Sequence, residues 1–99
     1  MNQLTIVAKV SAKKGKEKLA LKALQTLVNP TLKEAGCIEY KLHESADNPG
    51  EFLFYESWEN EAYLQQHLKS AHVLGFREKA VGLVEGAAEL SRWNMSNPK

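Results

Sequence analysis

The segment E-S-W-E-N-E-A-Y-L-Q-Q-H-L-K-S-A-H-V-L-G-F, from Glu56 to Phe76, gathers most of the side chains that can move a proton. Glu56 and Trp58 are two residues apart, with Phe52 and Phe54 at the same spacing before them. On an extended strand these four side chains share one face. An ionised carboxylate among aromatic rings is costly to desolvate. Glu56 therefore either sits at the rim and pairs with a cation such as Arg92, or has its protonation tuned. His67 follows Tyr63 by one helical turn and lies on an apolar stripe with Leu64 and Leu68. Such a histidine is either a core residue with a satisfied hydrogen bond or an imidazole held at the edge of a pocket, where it titrates near neutral pH. His72 falls where one helical segment gives way to the next, a place from which a side chain can face a cavity. His43 lies on the polar side of a strand and is expected to be solvated. The side chains in and around this window that could carry chemistry are His67, His72, Glu56 and Tyr63, and the aromatic rings near them are Trp58, Phe52, Phe54 and Phe76.

Other chemistries lack their residues. His67 and His72 are five apart across the helix break, and no H-E-x-x-H spacing occurs, so no metal site is expected. The single cysteine, Cys37, excludes an internal disulfide, a cysteine-based zinc site and a C-x-x-C-H haem attachment. It follows Gly36 at a strand start and reads as a packed thiol. Neither a glycine-rich phosphate loop nor a serine nucleophile elbow is present. No cofactor is expected.

The elements that must position these residues follow from periodicity. Leu4, Ile6, Ala8 and Val10 alternate with Thr5, Val7 and Lys9, which predicts a strand over about residues 3–10. Leu19, Ala20, Ala23, Leu24, Leu27 and Val28 form one helical stripe with Lys18 and Lys22 opposite. Asn29-Pro30 interrupts it, with Asn as a cap and Pro in a first turn, predicting a short helical piece over about 30–35. Gly36 is the stop. Ile38, Tyr40 and Leu42 alternate with Glu39, Lys41 and His43 in a second strand. Asp47-Asn48-Pro49-Gly50 is a strong turn signal, and a third strand runs to Trp58, making an antiparallel hairpin. Asn60 and Ser70 are plausible caps for two further helical segments, the second grouping Val73, Phe76, Ala80, Leu83 and Val84. Residues from about Ala87 to Met95 read as a last strand, and Asn97-Pro98-Lys99 as a tail.

The order is β-α-β-β-α-β. Right-handed crossovers fold it into a four-stranded antiparallel sheet with the helices on one face, the ferredoxin-like α+β plait. The other face is then bare, and a bare apolar face marks association. Two such sheets packed together would make a homodimer of the dimeric α/β-barrel type.

Ninety-nine residues make a single domain, expected over 1–96 with a tail at 97–99. The apolar share is 43% and the charged share 25%, ordinary globular values that exclude disorder. The net charge of +1 argues against nucleic acid held by phosphate neutralisation. No apolar run reaches the roughly 18 residues of a membrane span. Residues 1–10 lack the basic flank and cleavage site of a signal peptide. A reducing cytoplasm is the expected location, with no membrane partner. Lysines crowd the first third, whereas no Lys or Arg occurs between Lys41 and Lys69. These are two solvated faces of opposite sign or an electrostatic complement between subunits.

Over nearly its whole length the chain resembles the antibiotic biosynthesis monooxygenase family, above all its small quinol-monooxygenase-like members. The residues that carry the likeness are L-K-E-A-G-C-I-E-Y-K-L from Leu32 to Leu42, the segment ending Y-E-S-W at Trp58, and the run Ala62, His67, Ser70, His72, Phe76. The resemblance implies a dimeric α/β barrel and a cofactor-independent oxygenation of a quinol or polycyclic phenol by molecular oxygen. Such chemistry requires a flat aromatic in a dry pocket, a base to make its anion, and a donor to the developing oxyanion. His67 or His72 would be the catalytic base, Tyr63 the donor, and Glu56 a base or an orienting group. Trp58, Phe52, Phe54 and Phe76 would hold the flat ring by stacking. Relatives in the wider superfamily imply alternatives. One is an isomerase of a small phosphorylated metabolite, favoured by a polar pocket. Another is a non-enzymatic ligand-binding or stress-response module. Haem-degrading relatives use an Asn on the first strand, where this chain has Ala8, and Asn2 lies too near the terminus.

Overall fold

A computed structural model describes residues 3–98. Met1 and Asn2, which begin the first alternating stretch, and Lys99, which ends the tail, lie outside the described residues. The elements run β1 (Leu4–Ser11), α1 (Glu17–Gln25), α2 (Val28–Leu32), β2 (Cys37–Glu44), β3 (Glu51–Trp58), α3 (Glu61–Leu68), α4 (Ala71–Ala80) and β4 (Glu89–Trp93). The strands form one sheet in the order β2-β3-β1-β4, every pair antiparallel. This is the ferredoxin-like plait. No helix among the described residues is long and apolar enough to cross a membrane.

Register builds the inner face of the sheet row by row. Arg92, Ile6, Glu56 and Tyr40 face one another across β4, β1, β3 and β2, and the next row is Leu90, Ala8, Phe54 and Leu42. Ala20, Leu24, Leu64 and Val73 from the helices, with Leu27 from the α1–α2 junction, close over these rows in one buried cluster. The outer face mixes types. Val7, Leu53, Tyr55 and Trp93 sit among Lys9, Lys41 and Ser91, with Tyr55 and Trp93 exposed.

The caps explain where the later helices start. Asn60 accepts a hydrogen bond from the Tyr63 N–H at 3.2 Å, and Ser70 accepts one from the Val73 N–H at 3.4 Å. The Ser70 cap restarts the helix after α3 has ended at Leu68, so the chain bends between His67 and His72.

Three boundaries differ from the sequence expectation. The short second helix begins at Val28, not near 30, so Asn29 and Pro30 lie inside its first turn instead of capping it. Proline costs nothing there, because the first-turn N–H it lacks has no intrahelical acceptor. In β2 a bulge between Cys37 and Glu39 turns Ile38 outward, where it is exposed, and Cys37 takes the inward place opposite Trp58. The last strand is shorter than Ala87 to Met95, running from Glu89 to Trp93, which frees Ala87 and Ala88 to line a cavity.

Gly36 ends the α2 segment with φ +80°, and a Cβ placed on it would fall within the Tyr63 ring. Gly36→Ala is expected to cost about 2–4 kcal/mol, from left-handed strain plus overpacking. Urea unfolding checks this. The same substitution in a Tyr63→Ala background should cost less, and an equal cost in both would show that the ring contact is not the cause.

Candidate active site

Between the inner face of the sheet and the helices lies a cavity of about 590 Å³. Its sheet floor includes Ala8, Tyr40, Phe54 and Glu56, and its helical wall includes His67 and Phe76. Most of the rest of its lining is aliphatic, with Lys13 and Arg77 as the cationic members.

Glu56 is buried at 4% exposure, and its carboxylate Oε1 accepts a hydrogen bond from the Trp58 indole at 3.0 Å. The two side chains meet because they are two residues apart on one strand face. Burial pushes the Glu56 carboxyl up to about 7, an effect partly offset by the indole donor and reinforced by the Glu34 charge. The alternative pairing does not occur, since Arg92 bonds Glu61 instead.

His67 is likewise buried, and its Nδ1 hydrogen-bonds Glu34 Oε2 at 2.7 Å. Its ring lies 4.8 Å from Trp58 and edge-on to Tyr40 at 5.4 Å, centroid to centroid. Burial holds its pKa below the ordinary value, with Glu34 opposing the shift. Nδ1 is turned to Glu34, so Nε2 is the nitrogen left for the cavity. Tyr40 stacks on Phe54 at 4.6 Å. Burial, with the Glu56 charge nearby, raises its phenol pKa, which keeps the hydroxyl protonated.

Of the residues singled out from sequence, Glu56, His67, Phe54 and Phe76 come together around the cavity. The others do not border it. Trp58 is completely buried and serves as the donor behind Glu56. Phe52 packs in the core opposite Val10. The Tyr63 ring covers Gly36. His72 points its Nε2 at Glu34 Oε2, 2.7 Å away. His43 is exposed. Cys37 has its thiol pushed up to about 11, chiefly by burial, so it stays protonated at neutral pH.

Sequence reasoning missed Glu34, Tyr40, Lys13 and Arg77. The alternation of β2 signals an inward Tyr40. Nothing local marks Glu34, whose role comes from contacts with α3 and α4 more than thirty positions on.

Comparison with known proteins follows the same outline. The family model for antibiotic biosynthesis monooxygenases matches residues 3–79. The candidate monooxygenase YcnE of Bacillus subtilis is 28% identical over 93 residues, covering 94% of this chain and 98% of that protein. An uncharacterized Synechocystis protein, sll1783, is also 28% identical over 93 residues, but the chain spans only 63% of its length. The crystal structure of PA3566 from Pseudomonas aeruginosa superimposes with a TM-score of 0.93 at 27% identity, over 98% of this chain and 97% of that one.

The Glu56 carboxyl carries a stability signature. Its folded pKa lies above the unfolded value of 4.5, so its ionisation opposes folding. The penalty is absent below 4.5 and complete above about 7. Glu56→Gln keeps an acceptor for Trp58 and cannot ionise. Its stability relative to wild type should rise by about 3 kcal/mol across that window. Urea unfolding at several pH values measures the difference, and a flat difference would refute the raised pKa.

Proposed function

The chain belongs to the antibiotic biosynthesis monooxygenase family, and from that premise we propose that it is a cofactor-independent monooxygenase acting on a quinol or polycyclic phenol. One observation carries the reading: a carboxyl with a pKa of about 7 stands in the floor of an otherwise mostly apolar cavity. A base tuned to neutrality is the group needed to form a phenolate or the related ring-carbon anion at physiological pH.

Phe54, Phe76 and the aliphatic walls hold the flat ring. Glu56 is tethered to Trp58 through Oε1, which leaves Oε2 to take the proton. His67 Nε2 and the neutral Tyr40 hydroxyl hold the ring oxygen, a role supported by their place in the cavity lining. The mostly apolar surroundings keep the anion electron-rich. The anion passes one electron to dioxygen, and the radical pair joins to form a carbon–oxygen bond. Loss of a second ring-carbon proton breaks the O–O bond of the resulting hydroperoxide. One oxygen atom remains on carbon as a carbonyl and the other leaves as water.

Lys13 and Arg77 support the second reading, an isomerase of a small phosphorylated metabolite, because they could hold an anion at the cavity. The aromatic and aliphatic remainder of the lining favours the first.

Oxygen-electrode assays of the purified protein against hydroquinones and anthrones test the proposal, with and without added flavin or metal. Uptake is expected without either. The rate should rise with pH through about 7, as Glu56 ionises. Glu56→Gln should lower it by about 10²–10⁴-fold. Trp58→Phe removes the donor that favours the carboxylate and should move the rising limb to higher pH. Uptake that strictly requires flavin, or a Glu56→Gln variant with an unchanged rate, would defeat the mechanism.

A further inference from the structure

Glu34 lies more than thirty residues before His67 and His72, and the three come from separate elements: the turn after α2, the last turn of α3 and the first turn of α4. Their side chains nevertheless converge. The same carboxylate oxygen, Glu34 Oε2, lies 2.7 Å from His67 Nδ1 and 2.7 Å from His72 Nε2. One ligand atom from each residue falls within 4.8 Å of the others. Among the described residues no Lys or Arg pairs with Glu34.

We propose that Glu34, His67 and His72 form a binding site for a zinc-class divalent cation, set behind the cavity and not within it. Two imidazoles and one carboxylate are a donor set that suits zinc and its borderline neighbours, whereas magnesium and calcium prefer oxygen ligands. Tetrahedral bonds of about 2.0–2.1 Å would place the donors roughly 3.3 Å apart. The two 2.7 Å separations need to open only by about 0.6 Å, which a glutamate side chain allows.

The surroundings are those of a built site. Trp58 and Tyr40 fix the His67 ring from two directions. Glu34 and His72 keep 15% and 22% of their side-chain surface exposed, leaving an open side for water or a further ligand. Glu34 and His72 do not line the cavity, and the cation would tie α2, α3 and α4 together from outside it. The proposal shares His67 with the oxygenase reading, but its test is read by metal binding and stands whether or not that reading holds.

The test uses the full, untagged chain after dialysis against chelator. Titration with cobalt(II) chloride is read by visible absorption, and zinc chloride by calorimetry and thermal melting. One equivalent is expected, with visible cobalt bands and a higher Tm under saturating zinc. Glu34→Gln and His72→Ala should each weaken binding by roughly tenfold or more and abolish the melting shift. His43→Ala, outside the cluster, should bind as wild type. Should Glu34→Gln fail to fold, the more exposed His72→Ala carries the test alone. Absence of binding at millimolar zinc, or binding indifferent to the Glu34 and His72 substitutions, overturns the proposal.

Discussion

The hydrogen bond from the Trp58 indole to Glu56 is the constraint on which the site depends. It places a carboxyl in a sheet row between Ile6 and Tyr40, where charge is expensive. A full ion pair there would have pulled the pKa down into the usual carboxylate range. No donor at all would have left the pKa higher still. A single neutral donor does neither, and the balance of burial against one indole N–H leaves the carboxyl near neutrality. Trp58 matters through that N–H and its bulk, although it has no exposed surface and does not border the cavity.

A different logic governs His67. Glu56 and Trp58 are neighbours because of strand alternation, which no repacking of helices can alter. His67 owes its orientation to Glu34 and to the rings of Trp58 and Tyr40, all reached through tertiary packing. Gly36 is part of that arrangement. Its positive φ ends the α2 segment just after Glu34 and lets Tyr63 of α3 pack directly on the backbone. The close fit of turn and helix brings Glu34 and His67 within hydrogen-bond distance.

What could be read from the sequence divides along the same line. Period-two alternation is local, and it was enough to place Phe52, Phe54, Glu56 and Trp58 on one face and to identify the hairpin. The caps Asn60 and Ser70 were equally local, and both make the expected side-chain bonds. The plait followed from element order and the handedness of crossovers. Alternation tells which face a residue takes, but not whether the space above that face is open or filled. The rings at 52 and 58 are therefore packed solid, while those at 54 and 76 border a hollow. The bulge that expels Ile38 adds one residue to the strand, and hydropathy alone carries no mark of it. Glu34 was invisible for the strongest reason: its partners lie in other elements, and its own neighbourhood is an ordinary helix end.

Rigidity follows from these origins. A carboxyl on a central strand, flanked by β1 and β2, is held by ladders on both sides, so its distance to Trp58 varies little as the helices breathe. The histidines sit on helices that meet the sheet only through side chains, with a break between them at Ser70. That junction can adjust by fractions of an ångström without disturbing any ladder, which is the freedom a cation needs to enter between Glu34 and the two imidazoles. A proton-transfer group gains from the first environment, because its pKa must stay constant. The proposed ligand cluster would gain from the second, because its donors must adjust their separations to accept an ion. On the two proposals the plait would supply both within one small domain, one on the sheet and one across the helix junction, with His67 serving each through a different ring nitrogen.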